Sequence, residues 1–350
     1  MSSIIEGLIK AAFENKASDI FLSEGSVARM KVNGQLMIAG EDSIEKDDIV
    51  SFWKRCGADP EYDGDRDSSY VAHNGVRFRV NLHRHLGKLG AVLRQINTEI
   101  PDLESLGLPV DILTRWVMAP AGIILITGPT GSGKSTTLAS SLEWLNQNSA
   151  KHIVTIEDPI EYLFESKQSL FTQREVHTDT DSFARGLRSS LRQAPDVILL
   201  GEIRDSETAQ IALQAAETGH LVLATLHSAN VAETVERLTN LFPSEERESQ
   251  LQLLSNMLIG VCCQILLPST SDGLFLVTEQ VENTGVIRNY IRESRIPEIV
   301  DFVERGDNPS NKLFMHALVE AAQNGNLTPE IAAAASGNKS DFDRAMRGIS

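Results

Sequence analysis

A short stretch near the middle of this 350-residue chain, GPTGSGKST from Gly128 to Thr136, gathers glycine, hydroxyl and one ammonium group. Its spacing, G-x-x-x-x-G-K-[ST], is that of a loop that cradles polyphosphate. Gly128, Gly131 and Gly133 let the backbone approach where a Cβ would collide. Lys134 supplies a mobile cation for the β- and γ-phosphates, and the Ser135 hydroxyl can ligate Mg²⁺. The expected nucleotide-binding residues are Gly128, Thr130, Gly131, Ser132, Gly133, Lys134, Ser135 and Thr136, with Ser135 also a metal ligand.

Three more segments carry groups suited to the same chemistry. HIVTIEDPIE brings Glu157, Asp158 and Glu161 past an apolar run. PDVILLGEIRD delivers Glu202 in a Walker B arrangement, where a carboxylate supports the Mg²⁺ shell or orients the attacking water. TGHLVLATLHSAN brackets another run with His220 and His227. Each has a plain structural alternative. An acid after a strand also caps the next helix, which applies to Asp158 and Asp205. A lone histidine is commonly a structural hydrogen-bonder. His83 and His85 face one side of an expected strand without a third ligand nearby, so Mg²⁺ with the nucleotide is the only metal expected.

The elements needed to position these groups follow from the pattern. Short apolar runs at 123–127, 153–156, 197–200 and 221–225 alternate with helical stretches such as 182–193 and 206–218. That alternation predicts a mostly parallel sheet covered by helices. Leu138, Leu142 and Leu145 give the helix after the loop its apolar face. The first hundred residues differ. A helix with the stripe Ile4, Ile5, Leu8, Ile9, Ala12 and Phe13 precedes alternating runs broken by Asn33-Gly34 and Asn74-Gly75, which are hairpin signals. The expected organisation is a small α/β domain over 1–98, a linker over 99–112, a phosphate-loop domain over 113–275 and a helical carboxy-terminal region over 276–350.

Composition narrows the partners. A net charge of −16 opposes non-specific nucleic-acid binding, unless Arg77, Arg79, Arg84, Lys88 and Arg94 form a basic cluster. No apolar stretch reaches the ~20 residues of a membrane span, and the chain start lacks a signal-peptide layout. Cys56, Cys262 and Cys263 read as buried, inert thiols of a reducing cytoplasm.

Taken in order, the motifs resemble those of the type IV pilus retraction ATPases, the twitching-motility motors of the secretion-ATPase superfamily. The strings TIEDPIE, TQREV, AETGHL and ATLH match, and ASDIFLSEG resembles the opening of that family's PAS-like amino-terminal domain. VIRNYIRE is similar to the retraction subgroup's AIRNLIRE, with Val286 and Tyr290 in place of its alanine and leucine. The resemblance implies an α/β fold: a PAS-like domain, a RecA-like P-loop motor domain with a mostly parallel sheet, and a helical carboxy-terminal region. It implies a Mg²⁺-dependent ATPase in which Glu161 engages the attacking water and Glu202 is the Walker B glutamate. His220 and His227 fall on the His box, and Arg79 and Arg94 on arginines offered to the phosphate from the amino-terminal domain. It also implies a homo-hexamer, peripheral to the inner membrane through a platform protein and acting indirectly on pilin. The alternatives are a pilus-assembly or secretion ATPase of the same superfamily, which commonly carries a four-cysteine metal module absent here, and a DNA-translocating RecA-like motor.

Overall fold

Strict alternation of apolar and polar residues gives the early strands one face for a core and one for other work. The structure, a computed structural model, describes residues 4–348 except 33, 62, 63, 74, 97, 98 and 307. Asn33 and Asn74, expected in hairpin turns, therefore lie outside the described residues. The chain divides into two units, one comprising Met1–Thr98 with Glu161–Leu163 and the other Glu99–Ile160 with Phe164–Ser350.

The first unit runs α1 (Ile4–Glu14), β1 (Asp19–Ser23), β2 (Val27–Val32), β3 (Gln35–Ser43), α2 (Lys46–Arg55), β4 (Arg66–Val71), β5 (Arg77–His85) and β6 (Lys88–Gln95). Its strands pair antiparallel in the order β3-β2-β1-β6-β5-β4. Phe78, Val80 and Leu82 of β5 and Leu89, Ala91 and Leu93 of β6 share one core with Ile5, Leu8 and Ile9 of α1 and Ile49, Phe52 and Trp53 of α2. Residues between them face the other way. The expected basic cluster is consequently split. Arg79 and Arg94 stand on the open face, while Arg84 is on the core face with its guanidinium over the Trp53 ring. On α1 the expected stripe ends early. Phe13, in the last turn of the helix, is 47% exposed. Glu6 is buried instead, its carboxylate 3.5 Å from the Arg55 guanidinium and accepting from the Tyr70 hydroxyl.

In the second unit, residues 99–112 are packed structure rather than bare linker. A 3-10 turn at Leu103–Leu106 leads into α3 (Val110–Val117), and Leu103, Leu108 and Leu113 are buried, so leucine spacing outweighs the proline and glycine punctuation. There follow β7 (Gly122–Thr127), α4 (Lys134–Asn148), β8 (His152–Glu157), β9 (Leu170–Glu175), α5 (Phe183–Ser190), β10 (Val197–Leu200), α6 (Ser206–Glu217), β11 (Leu221–Leu226), α7 (Val231–Asn240) and α8 (Arg247–Met257). The chain ends with β12 (Leu258–Pro268), β13 (Leu274–Glu282), α9 (Gly285–Arg292), α10 (Pro297–Glu304), α11 (Phe314–Gln323), α12 (Pro329–Ala335) and α13 (Lys339–Met346). The sheet order is β13-β12-β7-β11-β10-β8-β9, parallel throughout except for β13. β13 carries the sheet beyond residue 275, into the stretch expected to be helical.

The central strand explains its own sequence. Ile123 and Leu125 of β7 join a core with α6, α7 and α8, while Ile124 and Ile126 join one with α3 and α4. Burial on both faces demands an unbroken apolar run rather than alternation. Each such side chain contributes about 1.5–3 kcal/mol by leaving water. β12 escaped the sequence reading because it follows α8 with no turn residue between Met257 and Leu258.

Gly260 of β12 tests this packing, since a Cβ there would lie 2.3 Å from Trp116, which is itself 1% exposed. Gly260→Ala is expected to destabilise by about 1–3 kcal/mol through overpacking. Gly7→Ala, on an exposed position of α1 with nothing within 4 Å, should be neutral or stabilising by about 0.5–1 kcal/mol. Thermal unfolding of the two variants checks both signs.

Candidate active site

Parallel register brings four strand ends to one edge of the second unit's sheet. β7 and β11 pair from Gly122↔Leu221 to Thr127↔Leu226. β11, β10 and β8 continue the row through Ala224, Leu200 and Ile156. Gly128, His227, Glu202 and Glu157-Asp158 thus emerge together at the carboxyl edge, where open α/β sheets bind ligands. His220 precedes β11 and so sits at the opposite edge, roughly 20 Å away at about 3.3 Å per residue. Its Nδ1 lies 3.0 Å from the Ala215 carbonyl oxygen, a structural contact at the end of α6. Asp205 likewise takes the structural option, accepting from the Thr208 N–H at 2.7 Å to cap α6.

The loop between β7 and α4 has the shape its composition predicts. Gly128 has φ +146° and sits so close to Gln264 that a Cβ would lie 2.2 Å from its carbonyl oxygen. Gly133, at φ 87°, is the N-cap of α4 and provides no side-chain acceptor, and the helix has no acid in its first turn. A helix start without a side-chain cap or a first-turn carboxylate leaves its N–H groups and positive dipole end available to an anion. Lys134, 9% exposed, folds back so that Nζ donates to the carbonyl oxygens of Gly128 at 2.9 Å and Pro129 at 3.0 Å. Ser135 and Thr136 are half-buried beside it, whereas Thr130 and Gly131 are exposed at the loop's crest.

Across from the loop stands Glu202, whose side chain is 14% exposed. Its carboxylate pairs with the Arg204 guanidinium and lies 3.9 Å from His227 Nε2. Arg204, in the string GEIRD, is a site residue that the sequence reading does not reach. The available signal was its place two residues after Glu202, which in extended chain puts both side chains on one side. Hydrogen bonding to Glu202 raises the guanidinium's pKa further, and the charge of Asp158 adds to it. His227 is held below 6.5 first by burial and next by the Lys134 charge, with Arg237 and Arg204 adding to this and Glu202 opposing it. Lys134, Glu202 and His227 therefore form one electrostatic group.

Glu161 lies on the loop after β8, is exposed, and groups with the first unit. The residue before it is anchored, since Glu175 Oε2 accepts from the Ile160 N–H at 3.3 Å. Arg79 and Arg94 are direct cross-strand partners of β5 and β6. Asp19 lies opposite Arg94 on β1, and its Oδ1 accepts from Arg94 Nε at 2.8 Å. Two guanidinium groups side by side on one face repel, and the Arg94–Asp19 ion pair offsets part of that cost. His85 Nε2 is 2.8 Å from Ser23 Oγ, His83 stands over Gly90, and no cluster of three or more metal-ligating side chains occurs among the described residues. The three cysteines are buried and free. Burial pushes the Cys56 and Cys262 thiols up to about 12 and Cys263 well above its usual value, so all stay protonated.

A phosphate loop between a central parallel strand and a helix, faced by an acid from the strand two places away, defines a P-loop nucleoside triphosphatase with an added amino-terminal α/β domain. Residues 1–273 match the Type II/IV secretion system protein family, and the chain belongs to it. It is 40% identical over 309 residues to the type IV pilus retraction ATPase PilT of Pseudomonas aeruginosa, covering 86% of this chain and 89% of that protein. With the type IV pilus ATPase PilU of the same organism it is 35% identical over 343 residues, 96% of this chain and 90% of the other. A crystal structure of the pilus retraction motor PilT with bound ADP superposes with a TM-score of 0.89 at 37% identity, over 97% of this chain and 99% of that one. The fold is that of a secretion ATPase, an amino-terminal domain followed by a RecA-like motor domain, and the chain is an ATPase. Among the described residues, no helix is long and apolar enough to cross a membrane.

His227 gives the site a pH signature. Its pKa is lowered in the folded chain, so the unfolded chain binds the proton more readily. Stability from this residue is complete above 6.5 and is lost as pH falls through the lower folded value. Melting temperatures measured from pH 7 to 5 should decline less steeply in His227→Asn than in the parent; equal slopes would contradict the assignment.

Proposed function

We propose that the chain is a ring-forming ATP-driven motor that retracts a type IV pilus, working through a platform protein at the inner membrane. The observation carrying the catalytic part is Glu202, nearly buried at the strand edge facing the phosphate loop, with neutral His227 3.9 Å away. Support for retraction is the likeness to PilT along most of both chains.

In this reading the loop N–H groups and the α4 dipole hold the polyphosphate, and Lys134 balances charge on the transferring group. The residues fit Mg²⁺, with Ser135 supplying a hydroxyl and Glu202 a carboxylate, and the ion when bound neutralises phosphate charge. Glu202 orients water or supports the metal shell, and Glu161 aids the attacking water. Neutral His227 offers a hydrogen bond at the developing charge. Arg79 and Arg94 serve the phosphate of a neighbouring subunit in a hexamer.

Two variants separate binding from chemistry. Lys134→Ala should abolish turnover, since truncating one partner of a buried charge pair costs roughly 2–5 kcal/mol. Glu202→Gln should keep ADP affinity while kcat falls about 10²-fold or more, as expected for a positioned acid–base group. Equal ATPase rates in parent and Glu202→Gln would remove Glu202 from the mechanism. For direction, cells expressing only Lys134→Ala protein should keep surface pili and lose twitching; bald cells would instead indicate an assembly motor.

A further inference from the structure

We infer that Gln264 is the positioning residue that sets the phosphate loop for nucleotide, acting from β12 across the sheet. Parallel pairing of Cys263 with Thr127 places Gln264 beside Gly128, at the point where the chain leaves β7. Gln264 is 1% exposed, so its amide must find its partners within the protein. Both its polar atoms are committed to the loop and the helix behind it. Nε2 donates to the Ser132 carbonyl oxygen at 2.6 Å, and Oε1 accepts from the Thr137 hydroxyl at 3.0 Å. A carbonyl can only accept, so the Ser132 contact decides which way the amide points.

The geometry gives these bonds a consequence for ligand binding. A trans peptide points its N–H opposite to its C=O. Holding the Ser132 carbonyl down against β12 therefore turns the Gly133 N–H away from β12, toward the concave side of the loop. The second bond ties the first turn of α4, through Thr137, to the same amide. Gln264 also lies under both outer glycines: its backbone oxygen stands 2.2 Å from the Cβ that Gly128 lacks, and its Nε2 stands 3.3 Å from that of Gly133. With water excluded, neither bond has a competitor, and a loop released from them loses the aimed N–H groups while the fold around it remains. The role lies in nucleotide binding rather than in the chemical step, which distinguishes Gln264 from Glu202.

The inference rests on the ATPase reading, and the full-length parent chain must bind ADP in the same titration for that reading to hold. Three variants test it: Gln264→Met, which keeps length and loses both polar atoms, Thr137→Val, which removes only the hydroxyl, and the double variant. ADP affinity is read by isothermal titration calorimetry, turnover by steady-state ATPase, and folding by the nucleotide-free melting temperature. Gln264→Met is expected to weaken ADP binding tenfold or more, about 1.4 kcal/mol, with KM rising in step and kcat within about threefold. Thr137→Val should weaken ADP about threefold, and the double variant should bind no worse than Gln264→Met, because the two groups act through one bond. Independent, multiplying losses would overturn the inference, as would a folded Gln264→Met protein that binds ADP within twofold of the parent. Should Gln264→Met fail to fold, Thr137→Val decides alone, and parental ADP affinity there overturns it.

Discussion

The parallel register of β7 with β11 on one side and β12 on the other is the constraint on which the rest of the motor unit depends. It spends the strand's backbone bonds on two neighbours and its side chains on two cores, leaving no freedom in where Thr127 ends. Gly128 must start the loop there, and His227 and Glu202 must end their own strands in the same row. A one-residue slip would invert every side chain of a strand between faces. Two buried cores forbid it, so the catalytic geometry inherits its accuracy from aliphatic packing.

Around that edge charge is arranged in opposing pairs. Arg204 and Glu202 pair directly, while burial first, and then the charges of Lys134, Arg237 and Arg204, hold the pKa of His227 down. A second carboxylate does structural duty nearby. Glu279 of β13 is 6% exposed, and its two oxygens accept from the Val231 N–H at 2.6 Å and the Phe314 N–H at 3.0 Å, the first residues of α7 and α11. Burial raises its pKa, and these two bonds pull it back. α7, which follows the loop carrying His227, and α11 therefore both start from one anchored acid.

Buried hydroxyl and thiol groups supply a further tie. Thr127 Oγ1 lies 3.2 Å from Thr234 Oγ1 and 2.7 Å from Cys263 Sγ, and Thr234 in turn lies 2.6 Å from Ser228 Oγ. These groups join the last residue of β7, the residue after His227 and the strand β12. Hydrogen bonds with no competing water hold direction as well as distance, so the strand ends are fixed in orientation too.

The chemical groups and the strands that carry them were legible in the chain itself. Phosphate-binding glycines, Lys134, Glu202 and the unbroken apolar runs are local signals, because a loop for polyphosphate and a strand buried on both faces each need particular neighbours in sequence. The charge of the open face was legible as composition but not as geometry: Arg84 and Arg79 look alike in the string, and only pleating sent them to opposite faces. The two histidines bracketing β11 looked equivalent, yet strand direction put six residues of extended chain between them and only His227 at the loop. Residues 99–112 read as linker and folded as core, because leucine burial is a sum over partners distant in the chain. Gln264 shows the limit most plainly. Nothing in its own surroundings marks it, since its partners Ser132 and Thr137 lie more than a hundred residues away. Local sequence marked the groups suited to bind and act; which of them meet was decided only in the folded chain, because register and burial are settled by contacts between segments that no local pattern records.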